Sequence, residues 1–295
     1  MTMKYRYLIL NLIVCCCLLA SLYHPSAHGD EKLKPEEVVA KHLEAIGSQE
    51  DRASVKTRLI IGVSKYVRHG PGGGTTEGRA VLASENEKYM LGMKFGVPGY
   101  DTESVGFDGK ELTVGYAAPG VRSALEQFFR NHESTFKHGL LGGTLTSSWP
   151  LLAINDEKAK LKYSGLKKVE GASLHQLKYQ PRKGSDLEIS LYFDSTTFHH
   201  VRTEYTRVVG ANIGPGGVDS SASQRETRYK LVETFGDFKK EGNLILPHGY
   251  KITLEISSAS QILDEWTLTL SDFVFNQPID AADFVVDSLR KKTSK

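Results

Sequence analysis

Cysteine is nearly missing from these 295 residues: the three present, Cys15, Cys16 and Cys17, are consecutive and lie near the amino terminus. Without that segment the chain has no thiol, no disulfide and no thiolate metal site, and its core must hold it together unaided. An excess of one charge is missing too. Removing Lys4 and Arg6 from the 37 basic residues leaves 35, equal to the 35 acidic residues, all of which come later. That balance excludes the electrostatic footprint of a nucleic-acid or polyanion binder. The longest apolar run, Leu8 to Leu22, has 15 residues and is interrupted by Asn11 and Ser21, short of the ~20 that span a bilayer. No repeat of 20 to 50 residues is visible.

The amino terminus has basic Lys4 and Arg6, then the apolar run, then small residues around Ser26, Ala27 and Gly29. This order predicts a secretory signal peptide over residues 1–29, cut near Ala27 or Gly29. Lipidation of the cysteines is not expected, because Val14, Cys15 and Cys16 stand where small residues precede a lipidated cysteine. The remainder, residues 30–295, is long enough for one large core. It is expected to be a single periplasmic or extracytoplasmic domain that does not span the membrane once the signal is removed.

Lys34 to Gly47 predicts an amphipathic helix, with Pro35, Glu36 and Glu37 in the first turn, Gly47 as the stop, and Val39, Leu43 and Ile46 on one face. From Val55 the period becomes two, the mark of strands. Leu59, Ile61 and Val63 alternate with Arg58, Ile60 and Gly62 up to the turn at His69 to Gly74. A bulkier face follows at Tyr89, Leu91, Met93 and Phe95. Asp108-Gly109, between apolar runs, predicts a hairpin with both residues at positive φ. Val121 to Lys137 reads as helical, with a stripe of Leu125, Phe128, Phe129 and Phe136, and Leu140 to Ala153 as a loop ending in a short helix. Strands then resume, clearest at Leu187 to Phe193, Tyr250 to Ile256 and Trp266 to Leu270, each with one wet face. Gly210 to Ser223 reads as a mobile hairpin loop, and Arg290 to Lys295 as a frayed tail. The pattern predicts a single antiparallel sheet wrapped around something apolar.

Motifs for chemistry are scarce. The Gly-rich runs lack the Lys and Ser or Thr of a phosphate loop, and no G-x-S-x-G elbow occurs. His199 and His200, adjacent on a strand, point to opposite faces, and His132 and His138 are spaced wrongly for one helix face. No metal, cofactor or catalytic residue is expected. Glu126 and Glu133 form a carboxylate pair in principle suited to general acid and base work, but such residues on a helix surface are ordinarily solvated charge.

The order of features resembles the LolA-like group of periplasmic lipoprotein carriers and outer-membrane lipoprotein-sorting proteins. The resemblance rests on Glu103 to Pro119 (ESVGFDGKELTVGYAAP), on Trp149 to Ala153 (WPLLA), similar to that family's second lid segment, and on Phe273 to Pro278 (FVFNQP), similar to its closing strand. It implies an α+β fold: an open antiparallel β half-barrel, or curved sheet, with an N-terminal helix and a helical lid inserted over about 121–153. It also implies a non-catalytic carrier for the acyl chains of a lipoprotein or lipid. One departure stands out: where the carriers have an Arg-Pro pair linked to lid closure, this chain has Ser84-Glu85-Asn86-Glu87.

An acyl chain gains about 0.8 kcal/mol per buried CH₂, so an apolar concavity suffices without a motif. Tyr89, Leu91, Met93, Phe95, Leu125, Phe128, Ile189 and Leu191 are the candidates for its lining or cover, against the alternative that each is ordinary core. Two other functions stay open: an extracytoplasmic interaction or sensor module that meets an envelope partner protein through the sheet, and a secreted hydrolase. Crosslinking to one defined partner would mark the first, and polar groups converging in a cleft the second.

Overall fold

The computed structural model describes residues 33–70, 72–154, 159–210, 226–258 and 260–286. The signal segment, most of the Gly210 to Ser223 loop and the Arg290 to Lys295 tail lie outside the described residues.

Period-two patterning produces strands throughout. They are β1 (Thr57–His69), β2 (Gly74–Glu85), β3 (Lys88–Val97), β4 (Tyr100–Phe107), β5 (Leu112–Val114), β6 (Lys160–Val169), β7 (Ala172–Gln180), β8 (Glu188–Asp194), β9 (His200–Val209), β10 (Thr227–Glu241), β11 (Leu244–Ser257) and β12 (Gln261–Phe275). All join one sheet in the order β5-β4-β3-β2-β1-β12-β11-β10-β9-β8-β7-β6. Two antiparallel meanders are therefore zipped together by the β1–β12 pair. Its end strands β5 and β6 do not pair with each other, so the sheet is open.

The sheet is also curled. Tyr89 on β3 and Tyr205 on β9 lie six strand spacings apart, about 29 Å on a flat sheet at ~4.8 Å each. Yet both meet one residue: the Tyr89 hydroxyl donates to the Phe136 carbonyl at 2.8 Å, and the Tyr205 ring lies 5.3 Å from the Phe136 ring. Likewise Trp266 Nε1 on β12 donates to the Tyr100 hydroxyl on β4 at 2.7 Å, across four spacings. An antiparallel half-barrel with helices is what forms.

Between β5 and β6 the chain leaves the sheet. Here lie helices that we number after α1 (Pro35–Ile46) and α2 (Gln49–Ser54): α3 (Ala124–Asn131) and α4 (Glu133–Phe136), then 3₁₀ turns at Gly143–Leu145 and Pro150–Ala153. Ser123 and Glu126 make a reciprocal capping box that starts α3. The single helix expected over Val121 to Lys137 is broken at His132, whose φ of −118° is not helical. Phe128, Phe129 and Phe136 are all buried on either side of this break. The α1 helix forms as expected, but Val38 and His42 join Val39 and Ile46 in burial while Leu43 is only half-buried.

The fold decides one local feature left open by the pattern and corrects one expectation. On β1 the inward face is Arg58, Ile60, Gly62, Ser64 and Tyr66, whereas Ile61 and Val63 are 40% and 60% exposed. The segment is apolar on both parities, and the face is decided by partners that only the fold supplies: lid carbonyls for Arg58 and Asp264 for Tyr66. In the Asp108-Gly109 turn only Gly109 has positive φ, +92°. Asp108 instead accepts from the Lys110 and Glu111 amides at 2.8 and 2.7 Å, an Asx turn.

The open edges are guarded. Strand β5 has three residues, and β6 carries Lys160, Lys162, Lys167 and Lys168; lysines on an edge discourage pairing with another chain. Beside the β1–β12 register shift at Ile61/Gly62, a Cβ on Gly62 would stand 2.2 Å from the Thr269 carbonyl oxygen. Gly62→Ala is therefore expected to cost about 1–3 kcal/mol, read as a lower midpoint in chemical denaturation.

Candidate functional site

The strand alternation that gives β3 its bulky face puts Tyr89, Leu91, Met93 and Phe95 inside the curl, with exposures from 1% to 8%. Ile189 and Leu191 on β8 come in from the other half of the sheet, and Leu125 and Phe128 of α3 come down between them. All eight belong to one continuous buried cluster. The lid segment supplies Phe129, Phe136, Leu140, Leu141, Leu145, Trp149 and Leu151 to the same cluster. The open void that an apolar concavity would leave beneath the mid-chain helices is therefore not found: the lid's own side chains fill the hollow. Between Leu91, Met93, Val105, Leu125 and Phe129 a gap of about 160 Å³ remains, too narrow to admit a water molecule.

Polar groups of the sheet hold the lid by its main chain. Arg58 Nη1 on β1 donates to the Thr144 and Thr146 carbonyls. Ser84 Oγ accepts from the Ser147 amide at 2.9 Å, and Ser147 Oγ donates to the Asn86 carbonyl at 3.1 Å. The Ser84 to Glu87 stretch thus grips the lid, and a buried arginine reaches the lid from the neighbouring strand. His42 Nδ1 lies 3.0 Å from the Phe198 carbonyl, and its Nε2 accepts from Trp149 Nε1 at 3.1 Å. That pattern requires a neutral ring protonated at Nδ1, and burial holds its pKa down at about 3. At Gly143 (φ +49°) an added Cβ would stand 2.8 Å from His200 Nδ1, so the lid backbone itself lies against the strand side chains.

Three carboxylates are sunk into this apolar region. Glu233 on β10 accepts from the Gly142 amide (2.7 Å), Tyr205 (2.7 Å) and Tyr250 (2.6 Å). Burial outweighs these bonds and pushes its pKa up to about 7. Glu103 on β4 accepts from Tyr100 (2.6 Å) and from the Ser123 hydroxyl (2.7 Å). Burial, then the nearby charge of Glu126, pushes it up to about 8. Glu126 Oε2 accepts from the Ala117 and Ser123 amides, both at 3.0 Å, and its pKa is raised by burial. The carboxylate pair read from the sequence is corrected accordingly: Glu126 is buried against Glu103, while Glu133 is half-buried and pairs with Lys137. Sealed in this way, these acids serve as anchors for the lid. Among the described residues no group of three or more His, Cys, Asp or Glu could hold a metal, and no helix is long and apolar enough to cross a membrane.

Arg58, His42, Glu103 and Glu233 were missed as site residues by sequence reasoning, although two left a signal. Leu231, Glu233 and Phe235 share one parity, as do Glu103, Val105 and Phe107, so in each case a carboxylate occupies an apolar face.

No family model and no curated protein matches the chain. Solved structures do. A LolA superfamily protein from Nitrosomonas europaea is 13% identical over 85% of this chain and 97% of that one, with a TM-score of 0.45. A DUF1329 family protein from Desulfovibrio piger is 10% identical, covering 84% and 96%, with a TM-score of 0.39. An outer membrane lipoprotein-sorting protein domain from Vibrio parahaemolyticus is 13% identical, covering 83% and 97%, with a TM-score of 0.36. The likeness is distant; the chain itself is an open antiparallel half-barrel with helical pieces inserted between β5 and β6.

Proposed function

We propose that this protein is a non-catalytic extracytoplasmic carrier that holds the acyl chains of a lipoprotein or lipid in the hollow its lid now fills. The observation that carries the reading is the composition of the plug. The curled sheet does not close on its own side chains; it closes on a segment that interrupts the strands and has only short helical pieces of its own. Tyr89, Leu91, Met93, Phe95, Ile189 and Leu191 form the wall in this reading, and Leu125 and Phe128 the part that moves aside.

Magnitudes favour an exchange. Burying Phe128, Phe129, Phe136, Leu140, Leu141 and Trp149 contributes roughly 9–18 kcal/mol at about 1.5–3 kcal/mol each. An acyl chain of about fourteen methylenes contributes roughly 11 kcal/mol. The two are of one scale, so a chain entering as the lid leaves replaces like with like, and neither state is a trap. In this form the gap left in the hollow is too narrow for a guest, so in this reading acyl binding requires the lid to lift.

Native mass spectrometry of protein purified from envelope extracts without detergent is expected to show a co-purifying amphiphile, and a fluorescent fatty acid should be taken up by the delipidated protein. Neither bound lipid nor uptake would remove the proposal. Crosslinking in the same extracts should capture lipidated proteins; one unlipidated partner would favour an interaction module instead.

A further inference from the structure

A second cleft, outside the filled hollow, lies between the α1–α2 junction, the start of β1 and the end of the lid. Its volume is about 620 Å³, and its walls are Leu43, Gln49, Arg52, Ala53, Val55, Lys56, Arg58, Asn86, Ser147, Leu152 and Ala153. Three of these residues are cationic and none is acidic, in a chain whose formal net charge is only +2.

Arg58 makes this more than a basic surface. It is 2% exposed, and its partners are neutral carbonyls, both reached through Nη1. Its buried Nε has no hydrogen-bond partner. A buried guanidinium without a counter-ion is expensive to keep. Burial alone accounts for the fall of its pKa to about 10, with no carboxylate acting against it. Arg52 is partly spoken for, since its Nη1 donates to the Leu43 and Gly47 carbonyls and Glu44 acts on it through space. Arginine matches carboxylate and phosphate geometry in fork fashion. The apolar side of the cleft borders the hydrophobic core, because Leu43 and Leu152 pack against the main cluster.

We infer that this cleft seats the anionic head group, a phosphate or a carboxylate, of the acylated ligand, with Arg58 and Arg52 gripping it and Lys56 at the rim. The inference rests on the carrier reading and narrows its ligand to acidic amphiphiles. It also couples head-group binding to the lid, since the guanidinium that would meet the anion is the one now bonded to Thr144 and Thr146. An anion competing for Arg58 loosens the segment that must leave for the acyl chain to enter.

The test is calorimetric titration of the exported full chain with dodecyl phosphate, with uncharged monolauroylglycerol, and with inorganic phosphate alone. Dodecyl phosphate should bind at least about tenfold more tightly than the uncharged lipid, a difference of ~1.4 kcal/mol. In the Arg52→Gln/Lys56→Gln double variant that preference should fall below about threefold. Arg58→Met should abolish the preference, with its unfolding midpoint checked because this residue is buried; the double variant tests the assignment even if Arg58→Met does not fold. Equal affinity for the two amphiphiles would overturn the head-group seat and leave the carrier reading standing. Inorganic phosphate binding as tightly as dodecyl phosphate would support the anion seat and count against acyl carriage. If neither amphiphile binds, both fall.

Discussion

Glu233→Ala is expected to lower the free energy of unfolding by about 3–5 kcal/mol, as breaking a buried charged network does. The substitution would take the shared acceptor from the Gly142 amide and the Tyr250 hydroxyl and leave the Tyr205 hydroxyl only the Leu140 carbonyl at 3.3 Å. Glu233→Gln should be far milder and should change the pH dependence. With a pKa of about 7 in the fold against an ordinary 4.5, the folded chain keeps a proton over that interval which the unfolded chain has released. The glutamate's contribution is therefore fully present below about pH 4.5 and is lost as the pH rises through 7. The parent-minus-Gln difference in stability should fall by about 2.5 kcal/mol between pH 5 and pH 8. The difference is the right measure because His42 and His200, whose pKa values burial lowers, lose their contributions in the opposite sense, as the pH falls below about 6.5. Denaturant melts of both chains across that range check it. A flat difference would mean that Glu233 is not held as described.

The architecture was legible because alternation is a local property. Tyr89 to Phe95 and Ile252 to Leu254 declare their inner face within a few residues, whereas on β8 the face expected to be wet is buried as well, at Ser190 and Tyr192; the stretch without alternation, from Val121 to Ala153, is where the lid lies. The eight candidates gather in one cluster for the same reason. Sequence reasoning could not tell whether the sheet or the lid fills the space between them, because a phenylalanine packed on a strand and one packed by a removable segment have identical neighbours in sequence. It also left the inner face of β1 undecided, since both parities carry apolar residues there. Arg58 goes inside because lid carbonyls some 86 residues away receive it, a partnership no short window contains. Glu103 and Glu233 were within reach: a carboxylate on an apolar parity is either an error of register or an anchor, and both proved to be anchors.

Trp149→Ala should separate a lid that moves from one that is simply core. Trp149 is 1% exposed, stacks on His200 at 4.6 Å and donates to His42. Removing a buried aromatic of this kind costs about 3–5 kcal/mol. If the lid opens as a unit, that cost falls on the closed state alone, and the open, binding-competent fraction rises by about a hundredfold per 2.8 kcal/mol. Apparent affinity scales with that fraction while it is small, so uptake of a fluorescent fatty acid should tighten by at least about tenfold. Amide exchange should accelerate from Leu140 to Ala153 and stay slow in Tyr250 to Leu254 of β11. Ile252→Ala, which hollows the floor of the sheet, serves as the contrast: it should lower stability without tightening uptake. Exchange rising equally in lid and strands of the Trp149→Ala chain, with no gain in uptake, would make the plug a permanent part of the core, and a carrier would then have nowhere to put its cargo.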